Sequence, residues 1–204
     1  MDKQRLVRMF DKQADMWERR RKKRTVDSKW RQRLLEGATG KILEVAVGAG
    51  GNFQFYSPDV EVTAFDFSPM MIDRAKLAAA EYQIRASFQV GDIENVQLPE
   101  KSFDTVVSTL SMCAYADPLM VLHQLNRWCK NDGRILLLEH GTSSIAPLNW
   151  FFNLLDPLQM KTIGCHLNRN IMSLVSMSPL CIEHFESHFF GMVHLIWAKP
   201  GMTG

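Results

Sequence analysis

The sequence predicts an α/β fold organised around a buried parallel sheet, and two stretches carry this prediction. In the first, residues 41–52 (K-I-L-E-V-A-V-G-A-G-G-N), a short apolar, β-branched run leads into three glycines within four residues. Such a run is typical of a strand buried on both faces. Glycines that follow it permit a turn and close ligand approach at the carboxyl edge of the sheet, although an ordinary strand-to-helix turn fits them too. In the second, residues 60–66 (V-E-V-T-A-F-D), a strand ends in an acid 22 residues after Glu44, where a ribose diol is typically held.

The composition is that of an ordinary globular protein. The chain has 204 residues, of which 46% are hydrophobic and 23% charged, and this predicts one domain with a full core. The N-terminus lacks the apolar region of a signal peptide, and no apolar run is long enough to span a bilayer. The four cysteines are widely spaced, without a C-x-x-C pair. We therefore expect a cytoplasmic protein without a disulfide framework or a metal site.

The rest of the chain continues the alternation of strands and helices. Ser68 and Pro69 predict the start of a helix that runs to about Tyr82, with serine as N-cap and proline in the first turn. Further strands are predicted at residues 86–90, 105–108 and 134–139, a helix at 119–128, a turn at 131–133, and a closing antiparallel pair at 181–190 and 192–199.

Five stretches in order resemble the motifs of class I S-adenosylmethionine-dependent methyltransferases: residues 43–52, 65–72 (F-D-F-S-P-M-M-I), 91–93, 103–110 and 132–140 (D-G-R-I-L-L-L-E-H). Within that group the chain is similar to the small bacterial branch related to ubiquinone/menaquinone, phospholipid N- and thiol S-methyltransferases. The resemblance covers about residues 2–200. It implies a Rossmann-like, seven-stranded, mostly parallel sheet with helices on both faces and an N-terminal helical lid. It also implies S-adenosylmethionine as the cofactor and S-adenosylhomocysteine as the product.

The resemblance implies a cofactor site residue by residue. Glu44 would orient the glycine turn and face the amino-acid end of the cofactor, Gly48 and Gly50 would let the cofactor approach, and Asp66 would hold the ribose. The other implied cofactor contacts are Ala46, Asn52, Phe67, Met71, Asp92, Ile93, Thr109 and Leu110. Among these, Asp92 and Ile93 would meet the adenine, although Asp92 also fits a simple turn and Met71 also fits plain core. Ala46 departs from the family pattern Gly-x-Gly-x-Gly, because it takes the place of the first glycine.

The acceptor side is less well defined by the sequence. Methyl transfer needs a base only when the acceptor is protonated at neutral pH, and His140 and His166 are the candidate catalytic residues, with a structural role as the alternative. Residues 164–169 (G-C-H-L-N-R) resemble the Gly-Cys-x-Leu-x-Arg stretch of the phospholipid and thiol branch. Candidate substrate-binding residues are Trp17, Cys113, Asn168 and Arg169.

Two segments are open to more than one interpretation. Residues 1–36 hold 13 Lys/Arg against 6 Asp/Glu and place Leu6, Phe10, Ala14 and Trp17 on one helical face. This arm fits a lid over the cleft or a basic helix on an anionic membrane, whereas the absence of interleaved aromatics in its basic run argues against nucleic-acid binding. The domain itself is expected at residues 37–200, with an apolar insertion at 145–170 that caps the site or touches lipid. Pro147 and Pro157 predict that the insertion is not one continuous helix.

The expected activity is methyl transfer to a small, lipophilic acceptor. This acceptor is either a phospholipid amine headgroup or a small-molecule thiol, hydroxyl or amine. Ala46 and the absence of an unmistakable catalytic residue leave a second interpretation, a cofactor-binding regulatory protein without turnover. A third, supported only by residues 1–36, is a basic module that binds membranes or nucleic acid. The sequence leaves the oligomeric state open.

Overall fold

The computed structural model describes residues 2–202, so Met1, the first residue of the predicted arm, and residues 203–204 lie outside the described part. A seven-stranded sheet has the order β3-β2-β1-β4-β5-β7-β6. Its strands are β1 (Lys41–Val45), β2 (Glu61–Asp66), β3 (Arg85–Val90), β4 (Phe103–Thr109), β5 (Cys129–His140), β6 (Cys181–His188) and β7 (Val193–Lys199). Strands β1 to β5 are parallel, and β7 is antiparallel to both β5 and β6. The predicted seven-stranded, mostly parallel sheet with a closing antiparallel pair is confirmed.

Helices cover both faces of the sheet. They are α1 (Lys3–Arg21), α2 (Val26–Leu35), α3 (Pro69–Tyr82), α4 (Pro118–Trp128), α5 (Ala146–Thr162) and α6 (Ile171–Met177). Alternate residues of β1 enter different cores, because successive side chains of a strand point to opposite faces. Leu43 packs in one core with Leu125 of α4, and Ile42 packs in the other with Leu35 of α2 and Ile72 of α3.

The strand order places a topological switch point between β1 and β4. The chain leaves β1 toward β2 and β3 on one side, and it reaches β4 and β5 on the other. Ligands of open α/β sheets bind in the crevice that opens outside the carboxyl ends of the strands at such a point. The glycine turn begins at the carboxyl end of β1, so the crevice lies where the sequence places the cofactor.

Helix α1 packs along α3 beside this crevice. Leu6 and Ala14 on its inner face are 4% and 1% exposed. Two ion pairs join α1 to α3, Arg74–Asp15 (2.6 Å) and Arg21–Glu81 (2.9 Å), and a third, Lys3–Asp92 (2.7 Å), joins α1 to the residues that follow β3. Helix α2 is separate, since the chain turns after α1 and starts again where the Thr25 N–H donates to Ser28 Oγ.

The prediction that the prolines prevent one continuous helix over the insertion is wrong. Helix α5 runs unbroken from Ala146 to Thr162, with Pro147 in its first turn and Pro157 inside. Proline is well suited to the first turn, because the N–H it lacks has no helical partner there. Pro157 removes the bond to the carbonyl of Asn153, but Asn153 is exposed and water can satisfy that carbonyl. Among the described residues, no helix has the length and apolar character to cross a bilayer.

The predicted turn at residues 131–133 is also wrong, because β5 already begins at Cys129. The structure instead breaks the register there. Phe103 pairs with Cys129 and Thr105 pairs with Arg134, so the extra residues of β5 bulge between the two pairs. A bulge accommodates extra residues without ending a strand. Asn131, Asp132 and Gly133 are compatible with a turn before the strand and with a bulge inside it, so the sequence does not distinguish the two.

Candidate functional site

A cleft lies between the glycine turn, the carboxyl ends of β2 and β4, and the inner faces of α1 and α2. It encloses about 920 Å³, including open solvent at its mouth, which lies within the range of small-molecule sites. Seven of the predicted cofactor residues line it, namely Ala46, Gly48, Asp66, Phe67, Met71, Thr109 and Leu110, together with the predicted substrate residue Trp17. Phe10 of α1 also lines the cleft and packs edge-on against Phe67, with ring centroids 5.2 Å apart.

Gly48, Gly50 and Ala46 of the turn all have positive φ angles, but the surroundings of the three residues differ. Gly48 has φ +55°, and a Cβ built there would meet nothing within 4 Å, so its surface is open to the cleft. Gly50 has φ +77°, and a Cβ there would lie 2.7 Å from Ala78 Cβ of α3. Close packing of α3 therefore requires Gly50, while Gly48 borders the cleft, as Gly51 does. Ala46 has φ 52°, a left-handed conformation that costs an L-residue roughly 1–2 kcal/mol.

The carboxylate of Asp66 braces the turn from the end of β2. It accepts hydrogen bonds from the backbone N–H groups of Gly48 (2.9 Å) and Ser68 (2.9 Å). Burial raises the pKa of Asp66 to about 6, while these two N–H groups act in the opposite direction. Ser68 Oγ in turn donates to Asp11 of α1 at 2.5 Å. Asp66 thus combines a cleft-facing position with bonds that fix its orientation.

Glu44 and Asn52 lie behind the cleft and act through a polar network. Glu44 Oε1 accepts from Asn52 Nδ2 at 2.9 Å, and Glu44 Oε2 accepts from Tyr56 Oη at 2.8 Å. Burial raises the pKa of Glu44 to about 7, and the hydrogen bonds from Tyr56 and Asn52 and the charge of Arg31 oppose that rise. Neither Glu44 nor Asn52 borders the cleft. Their geometry suits them to position the turn and the residues that do.

Sequence reasoning missed two residues of this network, Tyr56 and Arg31. Arg31 lies on α2. Its Nη1 donates to Asn52 Oδ1 at 2.5 Å and to Thr109 Oγ1 at 2.8 Å, and it lines the cleft. Its side chain is only 13% exposed. A signal was present: Arg31 lies three and four residues before the buried Leu34 and Leu35, on one helix face. An arginine on an apolar face indicates an inward-pointing charge.

Neither of the predicted adenine residues, Asp92 and Ile93, is among the residues that border the cleft. Ile93 is buried, and Asp92 Oδ2 lies 2.7 Å from Lys3 Nζ of α1. Asp92 also accepts from Asn95 Nδ2 at 2.9 Å. The contact of both residues with a cofactor remains a prediction, and in this structure α1 supplies the cation that partners Asp92.

The exit of β4 is held by a third buried acid, Glu139 of β5. It accepts from Ser108 Oγ (2.7 Å), Ser111 N (2.9 Å) and Met112 N (3.1 Å). Burial raises the pKa of Glu139 to about 7, and these donors oppose the rise. Leu110, between the donors, has φ 55°. Glu139 therefore fixes a strained loop that forms one wall of the cleft, a role the sequence prediction did not include.

Cys113, His140 and Cys165 come together beside this loop. Cys113 and Cys165 form a disulfide with a Cα–Cα distance of 4.9 Å, 52 residues apart in sequence. His140 Nε2 lies 3.1 Å from Cys165 Sγ. One donor atom from each of the three residues lies within 4.8 Å of the others, a geometry in which a metal ion could also be held. The expectation that the cysteines form no disulfide framework is therefore wrong for this pair, whereas the expectation of no metal site stays a prediction. Spacing detects local pairs, whereas the fold joins distant ones.

The other predicted acceptor-side residues are engaged within the protein. His166 Nδ1 lies 2.7 Å from Asp156 Oδ2 of α5, and Asn168 Nδ2 donates to Asn153 Oδ1 at 3.0 Å. Arg169 donates to the backbone carbonyls of Met112 and Tyr115, at 2.5 Å each. None of His140, His166, Cys113, Asn168 and Arg169 borders the cleft. They fasten residues 164–170 to α5 and to the β4 exit, and their contact with an acceptor stays a prediction.

Known proteins resemble this chain in sequence. A family model described as a methyltransferase domain matches residues 42–133. A thiol S-methyltransferase of Rattus norvegicus is 32% identical over 175 residues, covering 81% of this chain and 67% of that protein. A phosphatidylethanolamine N-methyltransferase of Cereibacter sphaeroides is 31% identical over 111 residues, covering 53% of this chain and 55% of that protein. The chain thus spans little more than half of the second relative.

The fold also has a solved counterpart, geranyl diphosphate C-methyltransferase from Streptomyces coelicolor A3(2), in a complex with Mg²⁺, geranyl-S-thiolodiphosphate and S-adenosyl-L-homocysteine. The TM-score is 0.71 at 13% identity, and the alignment covers 86% of this chain and 76% of that one. At this identity the likeness supports the shared fold alone.

Proposed function

Because this chain belongs to the class I S-adenosylmethionine-dependent methyltransferases, we propose that it transfers a methyl group from S-adenosylmethionine to a small, lipophilic acceptor. One observation carries the proposal. The cleft at the switch point combines the open surface of Gly48 with the buried Asp66 carboxylate. An open backbone beside an oriented carboxylate is what a nucleoside with a ribose diol requires.

The residues present fit this cofactor. Asp66 would accept hydrogen bonds from the ribose hydroxyls, and Met71 and Phe67 line the cleft beside it as apolar surface. Arg31 brings a positive charge to the part of the cleft beside Thr109, where a carboxylate would be stabilised. We assign this end to the amino-acid part of the cofactor, with Glu44 and Asn52 as positioning residues behind Arg31.

The reaction asks little of the protein beyond binding and alignment. The sulfonium of S-adenosylmethionine supplies a methyl group on a good leaving group. The chain's own residues would bind the cofactor, exclude water and hold the acceptor in line. We propose that α1 acts as the lid, because Phe10 and Trp17 line the cleft from it and its ion pairs close it over α3. His140 and His166 would take a proton only from an amine or hydroxyl acceptor.

The lipophilic character of the acceptor rests on the insertion. Trp150, Leu154 and Leu158 of α5 are 69%, 63% and 61% exposed and recur every fourth residue, so they form one apolar stripe. One relative is named for a thiol and another for a phosphatidylethanolamine, which supports a thiol or a phospholipid amine headgroup as the acceptor. We propose that the protein works in the cytoplasm and touches an anionic membrane peripherally through the stripe and the basic end of α1.

The test is release of S-adenosylhomocysteine in the presence of a panel of acceptors. The panel contains an alkanethiol, phosphatidylethanolamine vesicles and a demethylated quinone, and the matched control is Asp66→Ala. We expect turnover with at least one acceptor and none above background in the control. Tight cofactor binding without turnover on any acceptor would instead support the regulatory interpretation. The panel also separates thiol from amine acceptors, because each kind of acceptor is supplied in its own assay.

A further inference from the structure

The acceptor side of the molecule contains a sulfur pair that the proposed methyl transfer does not use. Cys113 lies in the β4 exit loop, three residues after Leu110, and Cys165 lies in the connection between α5 and α6. The imidazole of His140, from the end of β5, contacts Cys165 Sγ at 3.1 Å. Three separate segments therefore meet at one reactive group.

The two cysteines differ in access. Cys165 is 9% exposed and Cys113 is 3% exposed, and only Cys165 contacts the imidazole. The Nε2 atom of His140 lies close enough to accept the Cys165 thiol proton, and the thiolate is the reactive form. Cys165 is thus the sulfur that a small reagent would reach first, and Cys113 is the sulfur behind it.

The pair also joins a wall of the cleft to a segment that does not itself border the cleft. The β4 exit loop supplies Ser111, Ala114 and Tyr115 to the cleft wall. Cys165 precedes a segment already tied to that loop by the His166 N–H to the Cys113 carbonyl (3.0 Å) and by the two bonds from Arg169. A covalent bond here adds a fixed link to a set of reversible ones.

We propose that Cys113 and Cys165 form a reversible redox site, oxidised by a peroxide and reduced by a small dithiol, whose state controls acceptor-side opening of the cleft. With the bond formed, residues 164–170 stay fixed to the β4 exit loop. With the bond reduced, the β4 exit loop loses its covalent link to that segment, so this wall of the cleft can move, and entry or release on the acceptor side becomes faster. The reduced form is the active one.

The chemistry balances with the reagents named. The Cys165 thiolate attacks the peroxide, forming a sulfenic acid and releasing hydroxide, and His140 Nε2 takes the thiol proton at the start. The Cys113 thiol then attacks the sulfenic sulfur, the S–S bond forms, and water leaves. Together the two thiols lose two electrons and two protons. A dithiol reverses the change by exchange through a mixed disulfide and becomes a cyclic disulfide itself.

The first part of the experiment does not depend on the proposed function. Full-length protein is reduced with dithiothreitol, treated with hydrogen peroxide, alkylated and mapped by mass spectrometry. We expect a Cys113–Cys165 cross-linked peptide that dithiothreitol removes, with the exposed Cys181 alkylated in both states. Cys181→Ser is the matched control and should form the cross-link at the wild-type rate. His140→Gln should slow cross-linking by about tenfold, because no base then lies beside the Cys165 thiol to take its proton.

The second part rests on the proposed function and measures turnover with the best acceptor of the panel. Reduced protein should turn over about fivefold faster than oxidised protein, as expected when opening limits the rate, and Kd for S-adenosylhomocysteine should change far less. In Cys165→Ala the ratio between the two treatments should fall to one. The Cys181→Ser protein should keep the wild-type ratio.

Three outcomes would overturn the proposal. If no cross-link forms after peroxide treatment, Cys113 and Cys165 are not a redox site. If the cross-link forms but turnover is equal in both states, or faster in the oxidised form, the redox state does not control opening of the cleft in the proposed way. Stoichiometric zinc in the reduced protein that blocks cross-linking replaces the redox site with a Cys₂His metal site. If no acceptor is turned over at all, the mapping still decides the redox chemistry, and only the proposed function fails.

Discussion

The two halves of the carboxyl edge are built in different ways. On the cofactor side, the polar groups at the ends of β1, β2 and β4 border an open cleft, and the acids behind them are buried in short networks. On the acceptor side, beyond β5, the predicted residues bond to one another and to the backbone, away from that cleft. There the apolar surface faces outward, on α5.

This contrast separates a preformed site from one that must rearrange. Asp66, Gly48 and Arg31 already have their orientation fixed, so cofactor binding needs little reorganisation. Arg169 and His166 would each have to release an internal partner before meeting an acceptor. We therefore expect changes on the cofactor side to act on affinity, and changes on the acceptor side to act on turnover.

The largest expected effect is at Asp66. Asp66→Ala should weaken S-adenosylmethionine binding by about 3–6 kcal/mol, from two charge-assisted hydrogen bonds, which is a hundredfold or more in Kd. Isothermal titration calorimetry measures it. Asp66→Asn is the control for folding, since its amide oxygen can still accept from Gly48 or Ser68. Wild-type affinity in Asp66→Ala would contradict the ribose assignment.

The second effect concerns Arg31, one of the residues that sequence reasoning missed. Arg31→Gln should weaken cofactor binding by about 1.5–3 kcal/mol, the value of a hydrogen bond to a charged group. Arg33→Gln, two residues along the same helix but 58% exposed, should bind as wild type. If both variants lose affinity equally, the effect comes from general charge and the carboxylate assignment fails.

The third effect is a pH dependence of cofactor affinity with a definite sign. The raised pKa of Asp66, about 6, means that the ligand-free protein holds a proton there below that pH. Because the ribose hydroxyls need an ionised acceptor, affinity should fall by up to about tenfold per pH unit below 6. Calorimetry in two buffers should detect proton release on binding near pH 6. Asp66→Asn should abolish both the release and the slope.

The same shift has the opposite effect on the stability of the ligand-free fold. Consider a carboxyl group whose pKa is higher in the folded protein than in the unfolded chain. Its contribution to the stability of the fold is fully present below the unfolded-state pKa and is lost as pH rises through the folded-state pKa. The pKa values of Asp66 and Glu44 are about 6 and about 7. Both groups therefore stabilise the ligand-free protein less as pH rises from 4 to 7. Ligand-free and cofactor-bound melting curves should diverge as pH increases. Parallel curves would contradict the link between Asp66 and the ligand.

The two halves also differ in how far the sequence could predict them. The cofactor side follows from local patterns, since each strand ends in its functional residue and the strand order then brings Gly48 and Asp66 together. The acceptor side depends on long-range contacts. Cys113 and Cys165 are 52 residues apart, and no periodicity connects them. The prediction that prolines interrupt α5 is wrong for a similar reason. The free energy lost with the hydrogen bond that Pro157 removes depends on how exposed Asn153 is, and only the folded chain determines that exposure.

A smaller effect tests whether the outward apolar surface of the acceptor side meets lipid. Trp150→Ser with Leu154→Ser should reduce co-sedimentation with anionic vesicles, because aromatic and apolar groups anchor at the interface. Lys22→Glu with Lys23→Glu should reduce it too, at about 1 kcal/mol per residue at low salt. Arg21 is left unchanged, since it is buried against Glu81. Equal recovery in the supernatant with and without lipid would end the membrane proposal and favour a soluble acceptor.

The smallest effect is at Ala46, where the cofactor side carries its own strain. Ala46 holds φ 52° at the start of the turn, a conformation that glycine adopts freely. Ala46→Gly removes the left-handed penalty of the folded state but gives the unfolded chain more freedom, and the two partly cancel. We therefore expect a gain of up to about 1 kcal/mol in unfolding free energy, with cofactor affinity equal to or better than wild type. Urea unfolding measures the first and calorimetry the second. A loss of affinity would mean that the methyl group of Ala46, which lines the cleft, contacts the cofactor. Turnover that appears only in the Ala46→Gly variant would support the regulatory interpretation of the wild-type protein.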